Sequence, residues 1–114
     1  MNCIVKTASI STKHLQRASL DVLRKEGLAK TSDGNDFFIQ MNDKCSQNWA
    51  AYPDLVAIVC FAREMGCEYI RIHDQGVLLP FLMYYNYYPR EVDGKNVFLE
   101  LAYYGTKLVS EKIV

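Results

Sequence analysis

The sequence has no excess of charge of either sign and no long apolar run. Thirteen Lys and Arg residues balance thirteen Asp and Glu residues. A chain without net charge has no overall field to attract nucleic acid or an anionic membrane. No apolar run approaches the length of a membrane span, and the first residues lack the basic region and apolar core of an export signal. These absences favour a cytoplasmic protein that binds neither a membrane nor, directly, nucleic acid.

Residue patterns that carry chemistry are also scarce. No glycine-rich phosphate loop is present, and His14 and His73 are the only histidines. Cys67 and His73 are six residues apart, which in a regular strand is about 20 Å, so they cannot form a local catalytic dyad. Cys60, Cys67 and His73 also lack the close paired spacing of a structural zinc site. The sequence therefore predicts no catalytic residue, no metal site and no cofactor.

The four cysteines, Cys3, Cys45, Cys60 and Cys67, are an even number, which would suggest two disulfides in a small secreted protein. Here the context argues against disulfides, because Cys60 lies in the most apolar predicted helix and the chain begins without the pattern of an export signal. In a cytoplasmic protein, buried cysteines are ordinarily free thiols. We therefore predict four free thiols, with that of Cys60 buried.

What the chain does contain is enough apolar sequence for one folded domain. Half of the 114 residues are hydrophobic, which disfavours disorder and provides a core without disulfides. No linker or repeat divides the chain. We predict a single domain over residues 1–114, in which the last ten residues form either a short strand or a tail.

The segment Tyr52–His73 organises the predicted fold. Pro53 suits the first turn of a helix, and Gly66 suits its end in the left-handed conformation. The apolar run between them predicts a helix covered on more than one side. After Gly66 the period changes to two, which predicts a strand that ends at His73.

The remaining elements follow from hydrophobic period and turn residues. We predict a first strand over Met1–Ile10, a helix from Ser11 or Thr12 to near Gly27, and a strand over Asp36–Asn42 inside a sheet. Asp93-Gly94 predicts a hairpin turn in a second half that is mostly β. The order β-α-β-α-β-β-β-β predicts an α+β fold of two layers, with two helices on one face of a mainly antiparallel sheet.

The last third is unusually rich in tyrosine, with six of the eight tyrosines. Because side chains alternate along a strand, Tyr84 and Tyr88 share one face and Tyr85 and Tyr87 the other, so one face cannot bury them all. Exposed tyrosines near an arginine favour a protein interface. Packing across a hairpin is the alternative, and stacking on nucleic acid a weaker third. The candidate partner-binding residues are Tyr84, Tyr85, Tyr87, Tyr88, Arg90, Tyr103 and Tyr104.

Three segments of the first two thirds of the chain share a pattern with known sequences: Ser9–Leu15, Asp36–Ile39, and Leu55–Gly76 with its Ala62-Arg63-Glu64-Met65-Gly66-Cys67 and Asp74-Gln75-Gly76. In these segments the chain resembles a family of small uncharacterised proteins from plasmid and prophage accessory regions. The aromatic C-terminal third departs from the family pattern, which ends sooner. The resemblance implies a mobile genetic element in a bacterial host and no known activity, so it assigns no catalytic residue.

Taken together, these patterns predict a protein-binding module from a mobile element. Its most specific form is an inhibitor of a host defence system, such as CRISPR interference, that acts by steric occlusion of a host protein or complex. The same aromatic strand could also pair with a second copy to form a homodimer. The alternative is a small enzyme or ligand-binding protein with Trp49, His14 and His73 in a pocket between the sheet and the loops Thr31–Asn35 and Asp43–Ala51.

Overall fold

The computed structural model describes residues 5–29, 36–41 and 49–114. Its helices and strands confirm the predicted α+β class. The chain divides into two compact units, Met1–Leu78 and Leu79–Val114, each described by itself below. This division does not test whether residues 1–114 fold as a single domain, and that statement stays a prediction. The elements in chain order are β1 (Thr7–Ser11), α1 (Arg17–Lys25), β2 (Phe37–Gln40), α2 (Pro53–Glu64), β3 (Tyr69–His73), β4 (Tyr84–Val92), β5 (Lys95–Tyr104) and β6 (Lys107–Ile113).

The first unit contains a mixed three-stranded sheet in the order β1-β3-β2. The central strand β3 pairs parallel with β1 and antiparallel with β2, so the segment Tyr52–His73 does supply the middle of this sheet. Strands β4, β5 and β6 form a separate sheet in the second unit, so the chain has two sheets in the described structure, whereas the sequence predicted one. One face of the first sheet carries the buried side chains Ile10, Phe37, Ile39, Ile70 and Ile72.

Among the described strands, β2 lies at an edge of this sheet, with an isolated bridge between Ala29 and Phe37 on its outer side, so the predicted interior position is wrong. The sequence placed it inside a sheet because both of its faces are partly apolar. Phe37 and Ile39 are buried on one face, while on the other the Phe38 ring lies 5.1 Å from that of Tyr69. A ring contact between neighbouring strands thus accounts for Phe38 without a further strand.

Helix α2 has the predicted bounds but not the predicted burial. Its buried residues, Leu55, Ile58 and Ala62, form one stripe, whereas Val56 is 38% exposed and Cys60 is exposed as a free thiol. Positions three and four residues apart share one helix face, and within α2 only the residues of this stripe are fully buried. The predictions that α2 is covered on more than one side and that Cys60 is buried are therefore wrong. Cys67 is also a free thiol, and Cys3 and Cys45 lie outside the described residues.

The first helix begins later than predicted, because a separate turn precedes it. Ser11 caps a 3-10 turn over Thr12–His14, and α1 starts at Arg17. No side chain at the N-cap position of α1 caps this helix. Instead, the Asp54 carboxylate in the first turn of α2 accepts hydrogen bonds from the Gln16 backbone N–H (2.9 Å) and from Ser19 Oγ (2.7 Å). Asp54 thus caps one helix from another.

We expect Asp54→Ala to lower the free energy of unfolding by about 2 kcal/mol, since two donors at the start of α1 lose their acceptor. Asp21→Ala is the matched control, because the Asp21 side chain is 75% exposed and pairs with Arg24 on the same helix. That control should change stability by less than about 0.5 kcal/mol. Urea unfolding followed by Trp49 fluorescence measures both, and equal losses would contradict a capping role for Asp54.

The second unit is an antiparallel meander in the order β4-β5-β6. Asp93 and Gly94, with φ of 51° and 77°, form the predicted two-residue turn between β4 and β5, since positive φ at both positions is the type I′ geometry. Strand β6 occupies most of the last ten residues, for which the sequence favoured neither a strand nor a tail. All seven residues of β6 are exposed.

Candidate functional site

The alternation of side chains in the second sheet divides the predicted partner-binding residues between two faces. The register pairs Tyr84 with Tyr103, Asn86 with Leu101 and Tyr88 with Leu99, and opposite residues share a face. We call this the Leu101 face, and the other the Glu100 face. Tyr84, Tyr88, Arg90 and Tyr103 lie on the Leu101 face, whereas Tyr85, Tyr87 and Tyr104 lie on the Glu100 face. The seven residues therefore do not form one surface.

The Leu101 face is apolar and incompletely covered. None of its residues is classed as buried, and Tyr88 and Ile113 are 48% and 55% exposed. Of the buried hydrophobic residues among those described, only Ala102, on the other face, belongs to Leu79–Val114. The apolar side chains of the Leu101 face are Tyr84, Tyr88, Val92, Val97, Leu99, Leu101, Tyr103, Leu108 and Ile113.

Two tyrosines of the Leu101 face are already ordered against each other. The rings of Tyr84 and Tyr103 are stacked, with centroids 5.2 Å apart and planes at 12°. This is the packing across strands that the sequence offered as an alternative to an interface. Because both tyrosines stay partly exposed, packing and binding are compatible: the stack fixes two large rings that a partner could contact at little cost in side-chain entropy.

The Glu100 face is held by polar contacts across all three strands. The Tyr87 hydroxyl donates to Glu100 Oε2 at 2.7 Å, and Lys112 Nζ lies 3.5 Å from Glu100 Oε1. The Glu100 side chain is 4% exposed, so its carboxylate depends on these partners. Tyr87 therefore has a structural role in the unit.

The two edges of the second sheet are poor templates for a further strand. Pro89 lies in β4 opposite Phe98. Val92 and Lys95, which flank the turn, form a hydrogen-bonded pair, and hydrogen-bonded and non-hydrogen-bonded pairs alternate along the two strands. Pro89 and Phe98 are therefore a non-hydrogen-bonded pair, so the Pro89 nitrogen points away from β5. That nitrogen carries no hydrogen to donate. In β6 the register shifts by one residue at Val109, a β-bulge. Bulges and edge prolines both hinder pairing with another chain.

The residues of the alternative pocket have other roles in the described structure. Trp49 is 1% exposed, and its Nε1 donates to Glu26 Oε2 at 2.9 Å. His14 is 2% exposed, and His73 Nε2 lies 2.7 Å from Ser9 Oγ. Thr31–Asn35 and most of Asp43–Ala51 lie outside the described residues, so a pocket beside these loops stays a prediction.

The outer face of the first sheet carries paired polar side chains. Arg71 Nε and Nη2 donate to the two Asp36 carboxylate oxygens at 3.1 and 2.8 Å. These hydrogen bonds, aided by the charge of Arg71, hold the pKa of Asp36 below its usual value, and they raise the pKa of Arg71. Both residues are exposed enough for water to screen the pair. Because Arg71 is already paired, it is a weak candidate for binding an anion.

A small open depression lies at one end of the first sheet. Its volume is about 250 Å³, and its lining includes Gln40, Met41, Cys67, Glu68 and Tyr69. Among the described residues, no group of three or more His, Cys, Asp or Glu side chains could hold a metal ion. Cys67 precedes β3, and His73 is the last residue of that strand.

Known proteins offer no further guide to the site. Comparison with protein-family models, with characterised proteins and with solved structures finds no match for this chain. The resemblance to mobile-element proteins therefore stays a prediction. Within residues 5–29, 36–41 and 49–114, neither helix has the length and apolar character that crossing a membrane requires.

The sequence interpretation missed the aliphatic half of the Leu101 face. Part of its signal was present: Val97, Leu99, Leu101 and Tyr103 make every second position of one strand face apolar, whereas the opposite face includes the charged Glu100. The predicted partner-binding residues were selected because most of them are tyrosines, and not by the strand face on which they lie. The register instead shows which tyrosines share a face with these aliphatic residues.

Proposed function

We propose that this chain is a protein-binding module and that its Leu101 face is the contact surface. The observation that carries the proposal is the exposure of this face in a unit where Ala102 is the one buried hydrophobic residue described. A three-stranded sheet is stabilised chiefly by covering one apolar face. Contact with another protein would supply that cover for the Leu101 face.

The composition of the Leu101 face fits a protein partner. Full burial of each Leu, Ile or Val side chain stabilises a contact by about 1.5–3 kcal/mol. Tyrosine and arginine are enriched among the residues that dominate interface energies. Tyr88 and Arg90 share this face with Leu99 and Leu101, so aromatic, cationic and aliphatic groups lie side by side.

A host protein is the expected partner, and steric occlusion the expected mechanism. The support for this part is the sequence resemblance, which implies a mobile genetic element. The most specific form of this proposal is inhibition of a host defence system, such as CRISPR interference. A face that binds without catalytic residues would act by covering a working surface of that system.

The test is capture from a bacterial lysate with the tagged protein, followed by mass spectrometry and a Kd measurement on the purified partner. Tyr88→Ala/Ile113→Ala removes two exposed side chains of the Leu101 face. We expect it to weaken binding at least about 30-fold, since central interface residues often contribute 2 kcal/mol or more. Both side chains are about half-exposed, so folding should be retained.

The matched control is Phe98→Ala/Tyr104→Ala on the Glu100 face, where the two side chains are 39% and 52% exposed. It removes similar apolar area and should leave the Kd within about threefold. A partner lost with the control and kept with Tyr88→Ala/Ile113→Ala would move the contact to the Glu100 face. A dimer of this chain in size-exclusion chromatography, dissociated by Tyr88→Ala/Ile113→Ala, would make a second copy the partner.

A further inference from the structure

We infer that the partner element that covers the Leu101 face is a single amphipathic α-helix of about four turns, with its acidic C-terminal end at the Asp93-Gly94 turn. This inference rests on the proposed function and names the kind of structure that the same surface recognises. It follows from the edges, the dimensions and the charges of the second sheet.

The edges disfavour a partner that adds a strand. Pro89 removes a backbone donor from the outer side of β4, and the bulge at Val109 disrupts the outer side of β6. Lys107, Glu111 and Lys112 add charge along β6, as edge strands that avoid pairing often do. A partner therefore contacts the face of the sheet and not its edge.

The width of the face fits one helix. Neighbouring strands lie about 4.8 Å apart, so the outer strands of this three-stranded sheet are about 10 Å apart. An α-helix with its side chains is about 10–12 Å in diameter. Helix-on-sheet packing therefore covers all three strands with one element.

The length of the apolar row sets the length of that helix. Along the central strand β5 the row runs from Val97 through Leu99 and Leu101 to Tyr103, a distance of about 20 Å at 3.4 Å per residue. A helix rises 1.5 Å per residue, so about 14 residues match this row. Such a helix would present apolar side chains at intervals of three and four residues.

The charges of the Leu101 face orient the helix. Arg90 lies opposite Val97, and Lys95 lies opposite Val92 beside the turn. Within the described part of the chain, neither cation has an ion-pair partner. Of the acidic residues, Glu91 alternates to the other face, Asp93 lies within the turn and carries one opposing charge, and Glu111 lies farther along the Leu101 face, opposite Leu101. The two cations outnumber this one carboxylate at the turn end, which favours the negative C-terminal end of a helix and acidic side chains there.

The test uses three labelled 18-residue peptides in fluorescence anisotropy. The first has a leucine stripe at helical spacing with glutamates in its last two turns, the second has lysines in place of those glutamates, and the third is a scramble of the first. We expect saturable binding of the first peptide, with the other two at least tenfold weaker. Equal binding of the first and scrambled peptides, or no saturation of the first, would overturn the inference.

The charge-reversed variant Arg90→Glu/Lys95→Glu tests the orientation. It alters two exposed residues, and circular dichroism checks that it folds as the wild type does. It should bind the lysine peptide at least tenfold more tightly than the glutamate peptide. An unchanged preference for the glutamate peptide would show that these cations do not orient the helix.

The failure of this inference can be told apart from failure of the proposed function. With a photo-crosslinking residue at position 88, the captured partner's contact segment can be mapped. A contact on a strand or loop would overturn the helical partner and leave the protein-binding function standing. Capture that depends on Phe98 and Tyr104 instead would overturn both the helical partner and the Leu101 face as the contact surface, and would move the contact to the Glu100 face.

Discussion

Gly76→Ala is expected to lower the free energy of unfolding by about 3 kcal/mol or more, since the added methyl group would overlap backbone atoms. A Cβ at this position would lie under 3.0 Å from the carbonyl group of Ile10 and the nitrogen of Ser11. The surrounding backbone is tied in place, because Ser11 N–H donates to the Val77 carbonyl (3.0 Å) and Val77 N–H to the Ser9 carbonyl (3.1 Å). Relief of the overlap would require the loss of these bonds.

Gly27→Ala is the control for Gly76→Ala. Gly27 has φ of 75°, but a Cβ added there would meet no atom within 4 Å, so its substitution measures conformational strain alone, about 1 kcal/mol. Thermal or urea unfolding of the two variants measures the difference. A loss for Gly76→Ala no greater than for Gly27→Ala would show that the turn after β3 can move away from β1.

Trp49→Ala is expected to lower the free energy of unfolding by about 3–5 kcal/mol, the usual range for removal of a buried large aromatic side chain. Trp49 is 1% exposed, and its removal also leaves Glu26 without the indole N–H that donates to it at 2.9 Å. Urea unfolding followed by circular dichroism measures the loss, because this variant has no tryptophan to report it.

Glu26→Ala separates the hydrogen bond from the packing of Trp49. It keeps the indole in place and should cost only about 1–2 kcal/mol, the effect of an unsatisfied buried donor. If Trp49→Ala instead leaves stability within about 1 kcal/mol of the wild type, the indole does not pack in the core. Trp49 would then be better explained as part of a ligand pocket.

Local structure could be predicted from the sequence where short-range geometry decides it. Pro53 and Gly66 bracket α2 as expected, and Gly66 has the left-handed φ of 73°. The period-two segment forms β3, and Asp93-Gly94 forms the turn between β4 and β5. In each case the conformational preference of one or two residues determines the backbone.

Burial could not be predicted as well, because it depends on what lies opposite each face. The apolar run of α2 indicated cover on several sides, yet only the stripe of Leu55, Ile58 and Ala62 is buried. Asp54 lies in the first turn of α2, yet its carboxylate accepts hydrogen bonds from Gln16 and Ser19 at the start of α1. These two residues lie 38 and 35 positions away in the sequence, so no local pattern could indicate the contact.

The candidate site was predicted in part. The sequence drew attention to the last third and to the alternation of its tyrosines, and β4 and β5 have that alternation. Which tyrosines lie beside aliphatic residues depends on the register between the strands. That register pairs Tyr88 with Leu99 but Tyr87 with the buried Glu100.

By itself, the sequence determined the α+β class, the main helix, the central strand and the β4–β5 turn, because hydrophobic period and the conformational limits of Pro, Gly and Asp act over a few residues. Only the tertiary structure decided that the strands form two sheets, that α1 is capped by Asp54, and that Tyr84 and Tyr88 share a face with the aliphatic residues of β5. These features depend on pairing between residues distant in sequence, and one residue of register moves every side chain of a strand to the opposite face.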